Sequence, residues 1–367
     1  MKLLFAPDSF SGFDSAPALI ARAKAILAKR EIEVVGLPMA DGGEGTTLAL
    51  MNQLPAVPSG HAARGPLGDA VNVPVLSLEG GHFVESARVV GRSLLHGELD
   101  AWKASSFGLG QVLVEMNLDH DEGPLLVGLG GSACFDGGLG LAQGLGLQIV
   151  NKQGQVMPLG AGAEQLLQAD KLVGPSPLED RIVCGWWDVS TSLRDAPTLF
   201  AADKGFSKAD QSPLLEGLVH WAGVVNNWRA DLNLPPVSLD APGTGAAGGI
   251  GFALKAILDA PLLPGARSLA HRLGLRAALL DCDAVLTGEG RMDASTLEGK
   301  VVETVIAMAR KAEVAQVACI TGEVRGPMAL PPNGPDWIVS CSETGETDRN
   351  TAFEKALHLV ADRLLGG

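Results

Sequence analysis

Four short apolar runs break into loops of glycine, carboxylate and hydroxyl residues: LLFAPDSFSG over residues 3–12, VVGLPMADGGEGTT over 34–47, LLVGLGGSACFDGG over 125–138 and AVLTGEGRMDAST over 284–296. Continuous hydrophobicity without alternation marks strands buried on both faces, as in a parallel sheet. Each run therefore predicts a parallel strand ending in a polar loop. In an open α/β sheet the carboxyl ends of the strands face one crevice, so loops far apart in sequence meet at one ligand.

Between these runs the period changes. Residues 15–30 predict a helix: Ser15 can cap it, Pro17 suits its first turn, and Leu19, Ile20, Ala23, Ile26 and Leu27 share one face. Residues 66–86 alternate apolar and polar positions around Glu79-Gly80-Gly81, which predicts an antiparallel hairpin. That switch places a domain boundary near residue 63. A helix over 102–118 leads into the strand at 125–129, whose unbroken hydrophobicity assigns it to the first domain. Residues 143–275 are richer in Pro, Gly and broken apolar patches. Strand and helix then alternate again through helix 298–312, strands 317–324 and 337–343, and a last helix with Phe353, Leu357, Val360 and Leu364 on one stripe. The pattern predicts an α/β protein: a doubly wound, mostly parallel sheet formed by residues 1–62, 100–142 and 276–367, with a second α/β domain of residues 63–99 and 143–275 inserted.

Composition narrows the partners. A chain of 367 residues exceeds what one core usually organises, which again implies two domains. Lys plus Arg number 28 against 42 Asp plus Glu, a formal charge of −14, and no basic cluster is longer than Lys29-Arg30 or Arg310-Lys311. Nucleic acid is therefore not an expected partner. The five cysteines lack CxxC spacing and read as core residues of a reduced protein. The seven histidines show no HExxH, so no zinc site is expected. The run Leu3–Ala6 meets Pro7 and Asp8 too early for a signal peptide, and no uncharged, glycine-free run approaches membrane-spanning length. A soluble cytoplasmic protein is expected, without a membrane partner, as a monomer or homodimer.

The loops carry the candidate chemistry. MADGGEGTT offers Asp41 and Glu44 among Gly42, Gly43 and Gly45, so two carboxylates can approach one cation without crowding. A tight strand-to-helix turn capped by those acids is the structural alternative. PDSFSG supplies Asp8 and Ser9, which equally suit an N-cap. LLVGLGGSACFDGG contains Gly128-x-Gly130-x-x-Ala133, the dinucleotide pattern, but no acid stands near residue 150 to hold a ribose. Gly130, Gly131 and Ser132 still make an anion cradle, with Asp136 near enough to orient a cation or hydroxyl.

A second GxGxxG spans Gly243 to Gly248, with no strand before it, and either lines a ligand cleft or permits close helix packing. LTGEGRMDASTLEGK gathers Glu289, Arg291, Asp293, Thr296 and Lys300 within a dozen residues, acids and bases that suit a metal-bound phosphate or else a surface salt-bridge network. Hard carboxylates beside glycine-exposed backbone suit magnesium and phosphate together. There is no Walker A sequence and no GxSxG, so a phosphoryl-transfer enzyme with another phosphate grip is the leading reading.

Taken together and in order, APDSF (6–10), PMADGGEGT (38–46), GPLG (65–68), GLGGSA with DGG (128–133 and 136–138), GTGAAGG (243–249) and LTGEGRMDAST with GK (286–296 and 299–300) resemble the type 1 glycerate kinase family over nearly the full length. The resemblance implies a Rossmann-like domain and a second α/β domain enclosing a cleft, with ATP and Mg²⁺ used to phosphorylate glycerate. The chain departs from the family pattern at Ser11 in place of lysine, at Phe135 in place of asparagine, and at Ser190 and Ser192 in WWDVSTSL, while FAADKG replaces an FGPQKG-like segment and SSFGLGQ (105–111) a TSxGTGE-like one.

On this reading Asp188, or else Asp41, accepts the proton of the substrate hydroxyl. Asp8 and Ser9 position the acceptor, helped by Gly42, Gly43, Glu44 and Asp136. Gly130, Gly131 and Ser132 hold an anionic group, with Gly243 and Gly245 at the nucleotide. Glu289 and Asp293 hold Mg²⁺, and Arg291 and Lys300 balance phosphate charge. Closure of the two domains on the ligand is expected, because water must be kept from the transferring group. A non-catalytic paralogue that binds a small organic anion is the first rival, drawn from Ser11 and Phe135. A nicotinamide oxidoreductase is the second, drawn from GxGxxA alone.

Overall fold

The computed structural model describes residues 1–10, 12–95, 100–118, 123–178, 180–293, 300–325 and 333–366, so Ser11 and Thr296 lie outside the described residues. In chain order the strands are β1 (Lys2–Pro7), β2 (Glu33–Gly36), β3 (Ala56–Arg64), β4 (Ala70–Leu78), β5 (Gly81–Glu85), β6 (Leu125–Leu129), β7 (Gln148–Asn151), β8 (Ala169–Val173), β9 (Val183–Trp187), β10 (Leu262–Pro264), β11 (Ala284–Met292), β12 (Gln316–Val324) and β13 (Trp337–Ser340). The chain divides into two compact units. Met1–Asp41, Gly45–Leu54 and Gly265–Gly367 form the first, and Gly42–Glu44 with Pro55–Pro264 form the second.

The first unit is built on a five-stranded sheet in the order β13-β12-β11-β1-β2, parallel throughout. Side chains of a strand alternate between faces. Accordingly Leu3 and Phe5 enter a core with Leu19, Ala23, Phe353 and Leu357, while Leu4 and Ala6 enter another with Val301, Val305 and Ala270. Both faces are covered by helices, so the unit is doubly wound, and full burial of side chains such as Leu3, Leu4 and Phe5 contributes about 1.5–3 kcal/mol each. From β1 the chain moves to β2 on one side, then resumes at β11 on the other. That reversal puts the topological switch point between β1 and β11, at Asp8 and Glu289.

The first helix spans Ala16–Leu27, with proline in its first turn as expected, but Ser15 makes no side-chain cap. Instead the Ala16 N–H donates to Ser9 Oγ at 3.2 Å. The final helix, Arg349–Gly366, buries Phe353, Leu357, Val360 and Leu364 as its stripe predicts.

The second unit carries a six-stranded sheet in the order β10-β9-β6-β5-β4-β3. β5, β6, β9 and β10 run parallel, and β3, β4 and β5 antiparallel. The hairpin expected at 66–86 is β4–β5, with Leu78 paired to Gly81 across Glu79-Gly80. A small antiparallel pair, β7–β8, also belongs to this unit.

The strand expected in the first domain at 125–129 sits elsewhere: β6 pairs with β5 and β9 in the sheet of the second unit. Residues 55–62 and 100–142 likewise pack with the second unit, and Gly265–Arg272 with the first. Continuous hydrophobicity does report a strand flanked by parallel neighbours, but both units contain parallel strands. Composition cannot say which sheet such a strand joins. Cys134, Cys184, Cys319 and Cys341 are buried, in keeping with core residues.

Candidate functional site

In the second unit the carboxyl ends of β5, β6 and β9 lie side by side, where β6 and β9 release polar loops and β5 passes directly into the short helix Ser86–Val90. Gly42–Glu44 joins them. A Cβ on Gly128 would come within 2.3 Å of the Gly42 carbonyl, and one on Gly131 within 3.1 Å of Glu44 Cγ. Asp188 follows β9, and its Oδ2 lies 2.7 Å from where a Gly130 Cβ would sit, with Gly43 Cα at 2.8 Å from the same point. Only glycine leaves room for these loops to meet. Gly131 adds a left-handed backbone, φ +64°, and is the exposed residue of its loop. Hence Gly42, Gly43, Glu44, Gly130, Gly131, Ser132 and Asp188 form one cluster, drawn from three distant segments.

The loop after β6 is pinned from two sides. Arg92 N–H donates to Gly131 O at 3.1 Å and Ala133 N–H to Val90 O at 2.8 Å, while Ser86 Oγ donates to Gly130 O at 3.2 Å. Beneath it, Lys204 Nζ donates to Ser132 Oγ at 2.7 Å and also to Ser132 O. Lys204 is buried, and burial pulls its ammonium below the ordinary lysine value. Sequence reasoning noted FAADKG but passed over this lysine. A single Lys between Asp203 and Gly205 has no periodic signature, and only the family-like segment around it marked the position.

Four sequence readings meet other partners in the structure. Asp136 is fully buried and accepts from Ser106 N, Ser106 Oγ, Gly138 N and Gly140 N at 2.8–3.1 Å. Burial raises its pKa and these donors oppose the rise. Its oxygens hold the loop rather than a substrate. Gly243 and Gly245 donate their N–H groups to Ser190 O and Thr191 O, and Cβ atoms there would strike Trp187 Cδ1 at 2.5 Å and Ser192 O at 2.3 Å. The glycine run therefore allows close packing, the second of its two readings. Phe135 is fully buried, edge-on to Phe206 at 6.0 Å between ring centroids. That departure alters core rather than ligand-facing surface. Ser192 is likewise engaged in a turn, with Ser192 Oγ donating to Asp195 Oδ2 at 2.7 Å.

The first unit has its own candidate. A cavity of about 710 Å³ opens over the carboxyl ends of β1, β11 and β12, lined among others by Asp8, Ser9, Asp41, Glu289, Arg291 and Lys300. Arg325 and Arg349 also border it. Asp8 Oδ1 accepts the Ser9 N–H at 2.7 Å. Burial first, and then the Asp41 charge, push Asp8 well above the ordinary carboxylate range; Glu289 adds to the push, and the Ser9 N–H and Lys300 oppose it. Arg291 Nε lies 3.5 Å from Asp293 Oδ2 in a largely exposed pair. Among the described residues no three His, Cys, Asp or Glu side chains form a ready metal cage.

Magnesium needs no such cage, since it keeps waters and substrate phosphates alongside one or two carboxylates. Asp8, repelled by both Asp41 and Glu289 and attracted by Lys300, gives with those two carboxylates a set of hard oxygen donors that matches that chemistry. Arg291, Lys300, Arg325 and Arg349 bring the cationic charge that phosphate oxygens call for.

A model of the glycerate kinase family matches residues 3–364. The chain is 34% identical to the glycerate 2-kinase of Escherichia coli strain K12, over 85% of this chain and 82% of that one. It is 31% identical to a glycerate kinase of Halalkalibacterium halodurans, over 81% and 79%. Among solved structures, a crystal structure from Salmonella typhimurium LT2, provisionally assigned as a glycerate kinase 2, superposes with a TM-score of 0.80 at 29% identity, covering 100% of this chain and 99% of that one.

Proposed function

This chain belongs to the glycerate kinase family, and we propose that it transfers a phosphoryl group from ATP to a hydroxyl of glycerate. The observation that carries the assignment of roles is the convergence of Gly43, Gly130 and Asp188 at one point of the second unit. A half-buried carboxylate against a glycine loop gives a proton acceptor beside an anion cradle. Asp188 is therefore the base that takes the proton of the acceptor hydroxyl, and Gly131 and Ser132 border the site of its carboxylate.

Arg291 and Lys300 balance nucleotide phosphate charge in the cavity of the first unit. Asp8, Asp41 and Glu289 are the residues that would hold Mg²⁺ there, in preference to Asp293, which is paired with Arg291. Bound magnesium would supply charge neutralisation at the phosphates. Asp41 is thus moved from the alternative base to the metal side. The nicotinamide reading loses its basis, because Gly128 is filled by the Gly42 backbone. The anion-binding paralogue loses Phe135, which is buried in the core.

The test is ADP release from Mg-ATP in the presence of D-glycerate, with the product resolved by phosphorus NMR. Glycerate-dependent ADP with one phosphoglycerate product is expected. ATP turnover indifferent to glycerate would exclude the assignment.

A further inference from the structure

Lys204 lies at the end of a 3₁₀ turn, Ala202–Lys204, whose exit is fixed by Gly205 at φ +92° and by Phe206 packed edge-on against both Trp102 and Phe135. The side chain is thus held from a rigid base. Its ammonium stands 5.8 Å from the centroid of the Phe135 ring and gives its hydrogen bonds to the hydroxyl and carbonyl oxygens of Ser132. Both acceptors are neutral. A buried ammonium is costly unless compensated, and hydrogen bonds to neutral oxygens leave its net charge in place. Asp188 and Asp136 act on it only through space, and Arg92 opposes them.

The direction of these bonds matters. Because Ser132 Oγ accepts from Lys204, its single proton is left to donate elsewhere. In the structure that hydroxyl neighbours the thiol of Cys134. Sulfur is a weak acceptor, which an anionic oxygen readily replaces. We propose that Lys204 is a positioning residue that makes the 130–132 loop selective for the carboxylate of the acceptor, orienting the Ser132 hydroxyl and placing one positive charge behind the loop. The inference rests on the kinase reading above for the identity of the acceptor. Lys204 and nearby Arg92 bring positive charge to this loop, which lets an acceptor carboxylate approach although the base Asp188 stands against the same loop. The bases beside Asp8 and Glu289 belong to the other unit's cavity.

The test compares wild type, Lys204→Met and Ser132→Ala. For Lys204→Met the KM for D-glycerate rises at least about tenfold, the scale of one lost charge-assisted contact, while the KM for ATP stays within about twofold. Thermal protection by D-glycerate is lost and protection by Mg-ATP is kept, which shows that the variant is folded. Ser132→Ala weakens glycerate in the same sense, and adding it to Lys204→Met brings little further loss. An unchanged glycerate KM in either single variant, or a rise confined to ATP, overturns the proposal. If Lys204→Met fails to fold, Ser132→Ala alone decides by the same criterion. Should wild type release no ADP with glycerate, the kinase reading fails, yet thermal protection by D-glycerate still measures whether Lys204 governs binding of that carboxylate.

Discussion

The Oδ2 atom of Asp188 lies 2.7 Å from the point at which a side chain on Gly130 would begin. No methyl group fits there unless Asp188 or the Gly43 backbone moves. Gly130→Ala should therefore displace the carboxylate, and displacement on the scale of 1 Å reduces turnover roughly 100-fold. Steady-state assay with circular dichroism as a control for folding checks this. Turnover within a few-fold of wild type would separate the glycine from the chemistry.

Replacing the base itself keeps the shape and removes the proton acceptor. Asp188→Asn should lower kcat by about 10²–10⁴, the usual contribution of general acid–base catalysis, with the KM for ATP little changed. A mere tenfold loss of kcat would assign the role elsewhere.

Asp8 makes stability depend on pH in an unusual direction. Its carboxyl holds a proton more tightly when folded than when unfolded, because burial and Asp41 disfavour its charge. Between the unfolded and folded pKa values the native state binds more protons, so stability falls as pH rises through that window. Asp8→Asn should flatten the fall and raise the melting temperature at neutral pH while abolishing activity. Mg²⁺ should stabilise wild type more than the variant. Parallel melting curves from pH 4 to 8 for both proteins test both statements.

Asp136 should show the opposite profile to a ligand-binding residue. Asp136→Ala strands buried donors of Ser106, Gly138 and Gly140, each costing about 1–3 kcal/mol. A marked drop in melting temperature is expected, with Ser106 and the 136–140 turn losing amide protection. A selective rise in the glycerate KM at unchanged stability would return this carboxylate to the substrate.

Much of the architecture was legible along the chain. The apolar runs at 3–7 and 284–288 are parallel neighbours, the Glu79-Gly80 turn joins β4 to β5, and the stripe of Phe353, Leu357, Val360 and Leu364 is buried. These follow from periodicity, which is a local property. The polar loops at strand ends were legible too, since glycine and carboxylate clusters interrupt apolar runs wherever the strands finish. The grouping of strands into sheets was not. β6 carries the same hydrophobic signature as β1, and only hydrogen-bond pairing distinguishes their sheets.

Residue type and spacing were thus enough to determine that this is an α/β protein, with acidic, glycine-bearing loops at strand ends and the motifs of its family in order. Tertiary structure alone decided which of those loops meet. It set Gly130 against Asp188, turned Asp136 and Gly243 inward to hold the loops, and brought Lys204 under Ser132 from 72 residues away. The reason is physical: strand and helix periods come from the backbone's own geometry within a few residues, whereas contact between distant loops is set by how sheets pair and pack.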